Sequence, residues 1–115
     1  MRAERYGVPV QSRYAALVKA FTSDPAVTHV TEGKGFGSTG QLKVGGRIFA
    51  MIVSDELVLK LPATRIDGLV VGGEGRRFDA GKGKPMREWF VLSPTSNLGW
   101  PTMAREAYTF VKQGK

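Results

Sequence analysis

Six cations, five of them close together among glycines, are the residues of this sequence best suited to binding chemistry. Residues 72–85 read GGEGRRFDAGKGKP, and a further arginine follows that segment. Glycine-rich backbone beside cations suits contact with phosphate oxygens, which requires positive charge but no reading of base edges. The candidate nucleic-acid-binding residues are therefore Lys60, Arg76, Arg77, Lys82, Lys84 and Arg87.

An ordinary solvated loop is the alternative interpretation of the same segment. Glu74, Asp79 and Glu88 stand among its cations and would neutralise part of their charge. Conversely, Lys34 and Arg47 would extend a basic patch if folding brings them close. The sequence leaves both interpretations open.

The charge of the whole chain favours an anionic partner. Its 115 residues hold 17 Lys and Arg against 10 Asp and Glu, a formal net charge of +7. The excess is uneven: residues 1–57 carry seven basic and five acidic groups, whereas residues 58–115 carry ten and five. Such an excess attracts polyanions and speeds encounters with them, although net charge alone also serves solubility.

A second glycine-rich segment matches the dinucleotide-binding pattern G-x-G-x-x-G. Residues 35–40 read GFGSTG. In that motif the third glycine leads into a helix whose amino terminus holds the pyrophosphate, whereas here a strand pattern follows over residues 41–44. The sequence therefore predicts no bound nucleotide and no other cofactor, and the glycines are interpreted as a tight connection.

Catalytic and metal-binding groups are sparse. The chain has one histidine, His29, and no cysteine, so no recognisable motif supplies a nucleophile with its base or a convergent set of metal ligands. His29 is expected to be a strand residue that either faces solvent or has its hydrogen bonds satisfied, and Trp89 and Trp100 are expected in or beside the core. The sequence predicts a protein that is not an enzyme, with no catalytic, cofactor-binding or metal-binding residues.

The elements that must position the cations follow from periodicity and turn chemistry. Apolar residues spaced i, i+3, i+4, i+7 predict a helix from Tyr14 to Phe21 with Ser12 as its N-cap. Apolar stripes after Pro62 and Pro101 predict two more helices. The predicted buried face of the last helix holds Trp100, Met103, Ala104, Ala107, Tyr108 and Val111. Strands are predicted at 27–31, 41–44, 47–53, 56–61 and 86–92.

These elements predict a two-layer α+β domain. The connections between the strands at 41–44, 47–53 and 56–61 are too short for parallel crossovers, so these strands form an antiparallel β-meander. In strand 56–61, Leu57, Leu59 and Leu61 share one face, while Val58 and Lys60 share the other. Flanking helices cover one face of the sheet in the order α-β-β-β-β-α-β-α, and residues 1–115 are expected to be a single domain.

Four short stretches, taken in order, resemble the N-terminal domain of the TfoX/Sxy family and the related small MmcQ/YjbR-type proteins. They are residues 36–38 (FGS), 46–50 (GRIFA), 59–62 (LKLP) and 86–89 (MREW), and the resemblance covers roughly residues 12–112. It implies an α+β domain with an antiparallel sheet, and a regulatory, DNA-linked role in bacteria. It implies no catalytic residues, and the C-terminal domain of full-length TfoX is expected to be absent.

Two functional hypotheses follow. The first is a non-enzymatic regulatory domain that binds DNA or another polyanion without sequence specificity through the basic loop. The second is a protein–protein interaction module, a homodimer or a complex with another partner, with no nucleic-acid role. A small-ligand role is the third and weakest. A cytoplasmic location is expected, because no apolar run reaches the ~20 residues of a membrane span and the chain lacks cysteine.

Overall fold

Short connections between successive strands fold the chain into one antiparallel sheet with helices against it. The computed structural model describes residues 10–30, 40–53, 55–79 and 87–114. The helices described there are α1 (Val10–Phe21), α2 (Ala63–Val71) and α3 (Trp100–Gln113). The strands are β1 (Val27–Val30), β2 (Gln41–Val44), β3 (Arg47–Val53), β4 (Glu56–Lys60), β5 (Gly75–Arg77) and β6 (Trp89–Leu92). The predicted α+β class and its meander are confirmed.

The six strands lie in the order β1-β2-β3-β4-β6-β5, and every neighbouring pair is antiparallel. Gly45 and Gly46 form the hairpin between β2 and β3 with φ values of 60° and 80°. A two-residue hairpin with positive φ at both positions follows the right-handed twist of its strands, and glycine adopts it without steric cost. This turn brings the first residues of β3 beside the last residues of β2.

A register shift in β3 sets the packing of the helical face. Leu42 lies opposite Ala50, but the next residue, Lys43, lies opposite Ile48, so Phe49 is an extra residue on β3. A bulge of this kind interrupts the alternation of side chains between faces. Phe49 and Ala50 are both buried in the cluster beneath the helices, although they are adjacent in sequence.

The main core lies between the helices and this face of the sheet. The six residues predicted to form the buried face of α3 are all buried, and Leu57, Leu59 and Leu61 are buried with them as predicted. Three aromatic rings join three elements: Phe21 of α1, Phe49 of β3 and Tyr108 of α3 lie with ring centroids 5.3–5.7 Å apart. No helix of the described residues is long and apolar enough to cross a membrane.

The other face of the sheet, called the second face here, carries a smaller apolar cluster. Met51, Val58 and Val91 are at most 1% exposed, and Phe78 and Trp89 join them at 6% and 8%. The low exposure of Trp89, and that of Trp100 at 7%, confirms the prediction that both tryptophans belong to the core or its edge. His29 is exposed on β1, which is the first of the two alternatives left open by the sequence.

Two local predictions differ from the structure: the N-cap of the first helix and the extent of the basic loop. Helix α1 begins at Val10, so Ser12 lies inside its first turn and is not the N-cap. The segment predicted as a basic loop contains the short strand β5, which pairs with β6 from Gly75 to Arg77. Periodicity misses a three-residue strand of this composition, because GRR has neither β-branched residues nor apolar alternation.

Asp24, just after α1, is held by a hydrogen-bond chain that reaches α3. The Tyr108 hydroxyl donates to Oδ2 of Asp24 and accepts from Nζ of Lys112 at 3.1 Å. The backbone N–H of Ala26 donates to the other carboxylate oxygen at 2.9 Å. These hydrogen bonds, that from Tyr108 foremost, hold the pKa of Asp24 below its ordinary value.

The lowered pKa predicts a pH dependence of stability. A carboxyl whose pKa is lower in the folded state stabilises the fold above its ordinary pKa of about 4, and loses this effect as pH falls through the folded value. Between neutral pH and about pH 3, the melting temperature of the protein is expected to fall further than that of Asp24→Asn. NMR titration of the carboxyl checks the cause, since Tyr108→Phe should raise the pKa of Asp24. An Asp24 that titrates at its ordinary value would contradict this account.

Candidate nucleic-acid interface

The ends of β2 and β4 and the starts of β3 and β6 meet at one end of the sheet, where cations converge. The register places the last residues of β2 opposite the first of β3, and Lys60 at the end of β4 opposite Trp89 at the start of β6. A cleft of about 510 Å³ opens there and is bordered by the last turn of α3. The four cations at this end of the sheet are called the basic end: Lys43, Arg47, Lys60 and Arg87.

Lys60 is held at the basic end by two contacts. Its Nζ lies 3.5 Å from Oε1 of Glu88 and 5.1 Å from the centroid of the Trp89 ring. The side chain is 30% exposed, so the aliphatic stem packs while the ammonium group stays in contact with water. A partly exposed ion pair of this kind contributes little to stability, and the ammonium keeps donors that are free to contact an anion.

Arg47 has a structural part in the same cleft. Its Nη2 donates to the backbone carbonyls of Val111 at 3.1 Å and of Gly114 at 2.8 Å. Carbonyls at the C-terminus of a helix lack intrahelical partners and carry partial negative charge, so a guanidinium is favourable there. Arg47 therefore ties the hairpin of β2 and β3 to the end of α3 and fixes one wall of the cleft.

Lys43 and Arg87 supply charge that the described residues do not neutralise. Lys43 lies on the second face, opposite Ile48, and borders the cleft. Arg87 is exposed just before β6, beside a smaller depression that it shares with Lys60 and Trp89. Neither side chain makes an ion pair within the described part of the chain. Against the four cations, Glu88 is the one carboxylate that borders either cavity within the described ranges.

The two arginines of β5 lie apart from the basic end and apart from each other. Arg76 lies opposite Val91 on the second face, whereas Arg77 lies opposite Phe90 on the helical face. Strand β6 lies between Arg76 and Lys60, so the two are separated by two strand spacings, roughly 10 Å across the sheet, and by two residues, about 7 Å along it.

Both arginines are engaged by carboxylates. Arg76 makes a bidentate pair with Glu56, with nitrogen–oxygen distances of 2.7 and 3.0 Å, and these hydrogen bonds raise its already high pKa. Arg77 pairs with Asp67 of α2. In the Arg76–Glu56 pair the planar guanidinium matches the two carboxylate oxygens. Because both arginines are paired, the net charge available to a phosphate at β5 is smaller than the sequence indicates.

The remaining predicted cations are outside the described residues. Lys82 and Lys84, together with Lys34 of the other glycine-rich segment, lie in parts of the chain that the structure does not describe. Of the six predicted residues, the structure therefore brings Lys60 and Arg87 together and adds Lys43 and Arg47. Arg47 was predicted from the sequence as a possible extension of the patch, whereas Lys43 was not, since nothing in residues 41–44 distinguishes it from an ordinary strand lysine.

Metal-ligating side chains are scattered over the part of the chain that the structure describes. Among the described residues, no three His, Asp or Glu side chains are grouped as a metal ion would require. No family model, curated protein or solved structure matches the chain. What the arrangement offers chemically is a set of cations on a rigid sheet end beside a largely buried indole, which suits contact with an anion.

Proposed function

We propose that this chain is a non-enzymatic binding domain that contacts nucleic-acid phosphates at the basic end, without sequence specificity. The observation that supports the proposal is that Lys43, Arg47 and Lys60 border one cleft at this end of the sheet, while Arg87 shares a second depression with Lys60. The resemblance to the TfoX N-terminal domain agrees with a DNA-linked role and stays a prediction.

The energy of a cation–phosphate contact in water favours weak, salt-dependent binding. In water a phosphate about 4 Å from one cation gains about 1 kcal/mol, so a few such contacts give only modest affinity. That suits non-specific association with dissociation constants of roughly 10⁻⁴–10⁻⁶ M. Trp89 is 8% exposed and has Lys60 against its ring, so stacking of a base on the indole is not part of the proposal.

Salt dependence of binding to a short labelled DNA duplex tests the proposal. Affinity is expected to fall steeply between about 50 mM and 200 mM salt, because each neutralised phosphate releases condensed counterions. In Lys43→Gln/Arg87→Gln, the slope of log K against log salt is expected to be shallower by about 2, or about 1 for each lost contact. Fluorescence anisotropy measures both quantities.

The matched control removes the same charge from the helical side of the molecule. Lys19 and Arg105 are exposed on α1 and α3, and Lys19→Gln/Arg105→Gln is expected to retain the slope of the unmodified protein. Equal slopes for the two double variants would show that binding follows net charge alone and would refute the proposed interface. Absence of binding at low salt would refute the function itself and leave the interaction-module hypothesis.

A further inference from the structure

A groove on the helical side has the composition of a small-molecule site, and it is separate from the basic end. It has a volume of about 790 Å³ and follows one side of α3, bordered by the end of α1 and the junction between β4 and α2. Pockets for small organic molecules in proteins typically measure about 300–1,000 Å³. The accessible apolar surface of the groove comes from Ala20, Pro62, Pro101 and Phe110.

One end of the groove is fixed by an ion pair between two helices. Nε and Nη2 of Arg65 on α2 each lie 3.0 Å from a carboxylate oxygen of Glu106 on α3. Both donors and both acceptors of this fork are used in the pair. Arg65 and Glu106 therefore form a rigid, nearly neutral wall that offers a ligand little net charge.

Arg105 is the other cation that borders the groove, and it is not part of the Arg65–Glu106 pair. Its guanidinium carbon lies 4.5 Å from the centroid of Phe21 and 5.1 Å from that of Tyr108. It makes no ion pair within the described residues. Asp24, the carboxylate whose pKa is lowered foremost by Tyr108 and also by Arg105, accepts its hydrogen bonds from Tyr108 and from the backbone of Ala26. Stacking on aromatic faces orients a guanidinium while its N–H groups in the plane stay available to an acceptor.

We infer that this groove binds a small monoanion with an apolar body, a carboxylate whose charged group pairs with Arg105. The apolar residues receive the body of the ligand, and the guanidinium receives the carboxylate in a bidentate pair. Among the described residues, two cations and one carboxylate border the groove, and the one positive charge left over favours a monoanion over a neutral molecule. This inference does not depend on the proposed nucleic-acid function.

The test compares two probes of the same shape. Naphthalene-2-carboxylate is expected to bind at millimolar concentration, followed by NMR shifts of groove residues such as Thr109, and naphthalene-2-carboxamide is expected to bind about tenfold or more weakly. Arg105→Gln should weaken the carboxylate by a similar factor and leave the carboxamide unchanged. Lys19→Gln, which removes the same charge from an exposed site outside the groove, should change neither.

Thr109→Trp provides a second variant at an exposed position on the groove wall. The indole is expected to fill the groove and to abolish binding of both probes without unfolding the protein. Equal affinity for the two probes, or carboxylate binding that Arg105→Gln leaves unchanged, would overturn the assignment. Absence of carboxylate binding at millimolar concentration would overturn it as well.

Discussion

Replacing Phe49 with alanine is expected to lower the free energy of unfolding by about 3–5 kcal/mol, the cost of removing a buried phenylalanine. Phe49 is 0% exposed, and its ring meets Phe21 at 5.3 Å and Tyr108 at 5.6 Å in edge-on geometry. The substitution leaves a cavity where β3, α1 and α3 meet. Because small domains have total stabilities of about 5–15 kcal/mol, urea denaturation should find the variant marginally folded.

Two comparisons separate the aromatic contacts from simple loss of volume. Phe49→Leu is expected to cost less than Phe49→Ala, since it keeps most of the apolar volume but loses the edge-on ring contacts, which contribute about 0.5–1.5 kcal/mol. Val71→Ala removes apolar atoms from a side chain that is 88% exposed and should change stability by less than about 0.5 kcal/mol. A loss below 1 kcal/mol for Phe49→Ala would contradict the packing described here.

Gly75→Ala is expected to cost about 3 kcal/mol, near the upper end of the usual range for overpacking. The backbone at this position has no positive φ, so the restriction is one of space. A Cβ would clash with the backbone oxygen of Val91 and would lie 2.5 Å from Cζ of Phe90, a buried core ring. Neither neighbour can move without separating β5 from β6 or disturbing the main core.

Gly68→Ala is the matched comparison for that substitution. Gly68 lies within α2, and a Cβ there would have no atom within 4 Å. Alanine should stabilise the helix by about 0.5–1 kcal/mol, because glycine loses more backbone entropy in a helix. In thermal denaturation, the melting temperature should therefore fall for Gly75→Ala and rise for Gly68→Ala. Similar melting temperatures for both would show that the close approach at Gly75 is absent in solution.

Much of the fold was predictable because long, regular patterns carry it. The buried face of α3 follows a helical period over three turns, and the alternation from Leu57 to Leu61 follows a strand period without interruption. The bulge at Phe49 was not predictable, since IFAMIV is apolar at every position and contains no alternation for a shift to break. Strand β5 was missed for the opposite reason, because Gly75, Arg76 and Arg77 carry no apolar signal.

The candidate site was predictable only in part, because charge in a sequence does not reveal pairing in space. Arg76 and Arg77 look like the centre of a basic loop, but their partners Glu56 and Asp67 lie 20 and 10 residues away. Lys43 and Lys60 come together only because β2 and β4 end, and β3 begins, at the same end of the sheet. The groove beside Arg105 is likewise formed by parts of the chain that are distant in sequence, namely the end of α1, the junction between β4 and α2, and α3. No local motif predicts it.

Chemical-shift mapping of a DNA titration tests the central proposal most directly. With a short duplex at low salt, the largest amide shifts are expected at Lys43, Arg47, Lys60 and Arg87 and at the Trp89 indole, and these shifts should shrink as salt rises. Residues of the helical side, such as Lys19, should move little. Shifts that centre on the helical side, or that spread evenly over all exposed cations, would contradict the assignment of the basic end as a nucleic-acid interface.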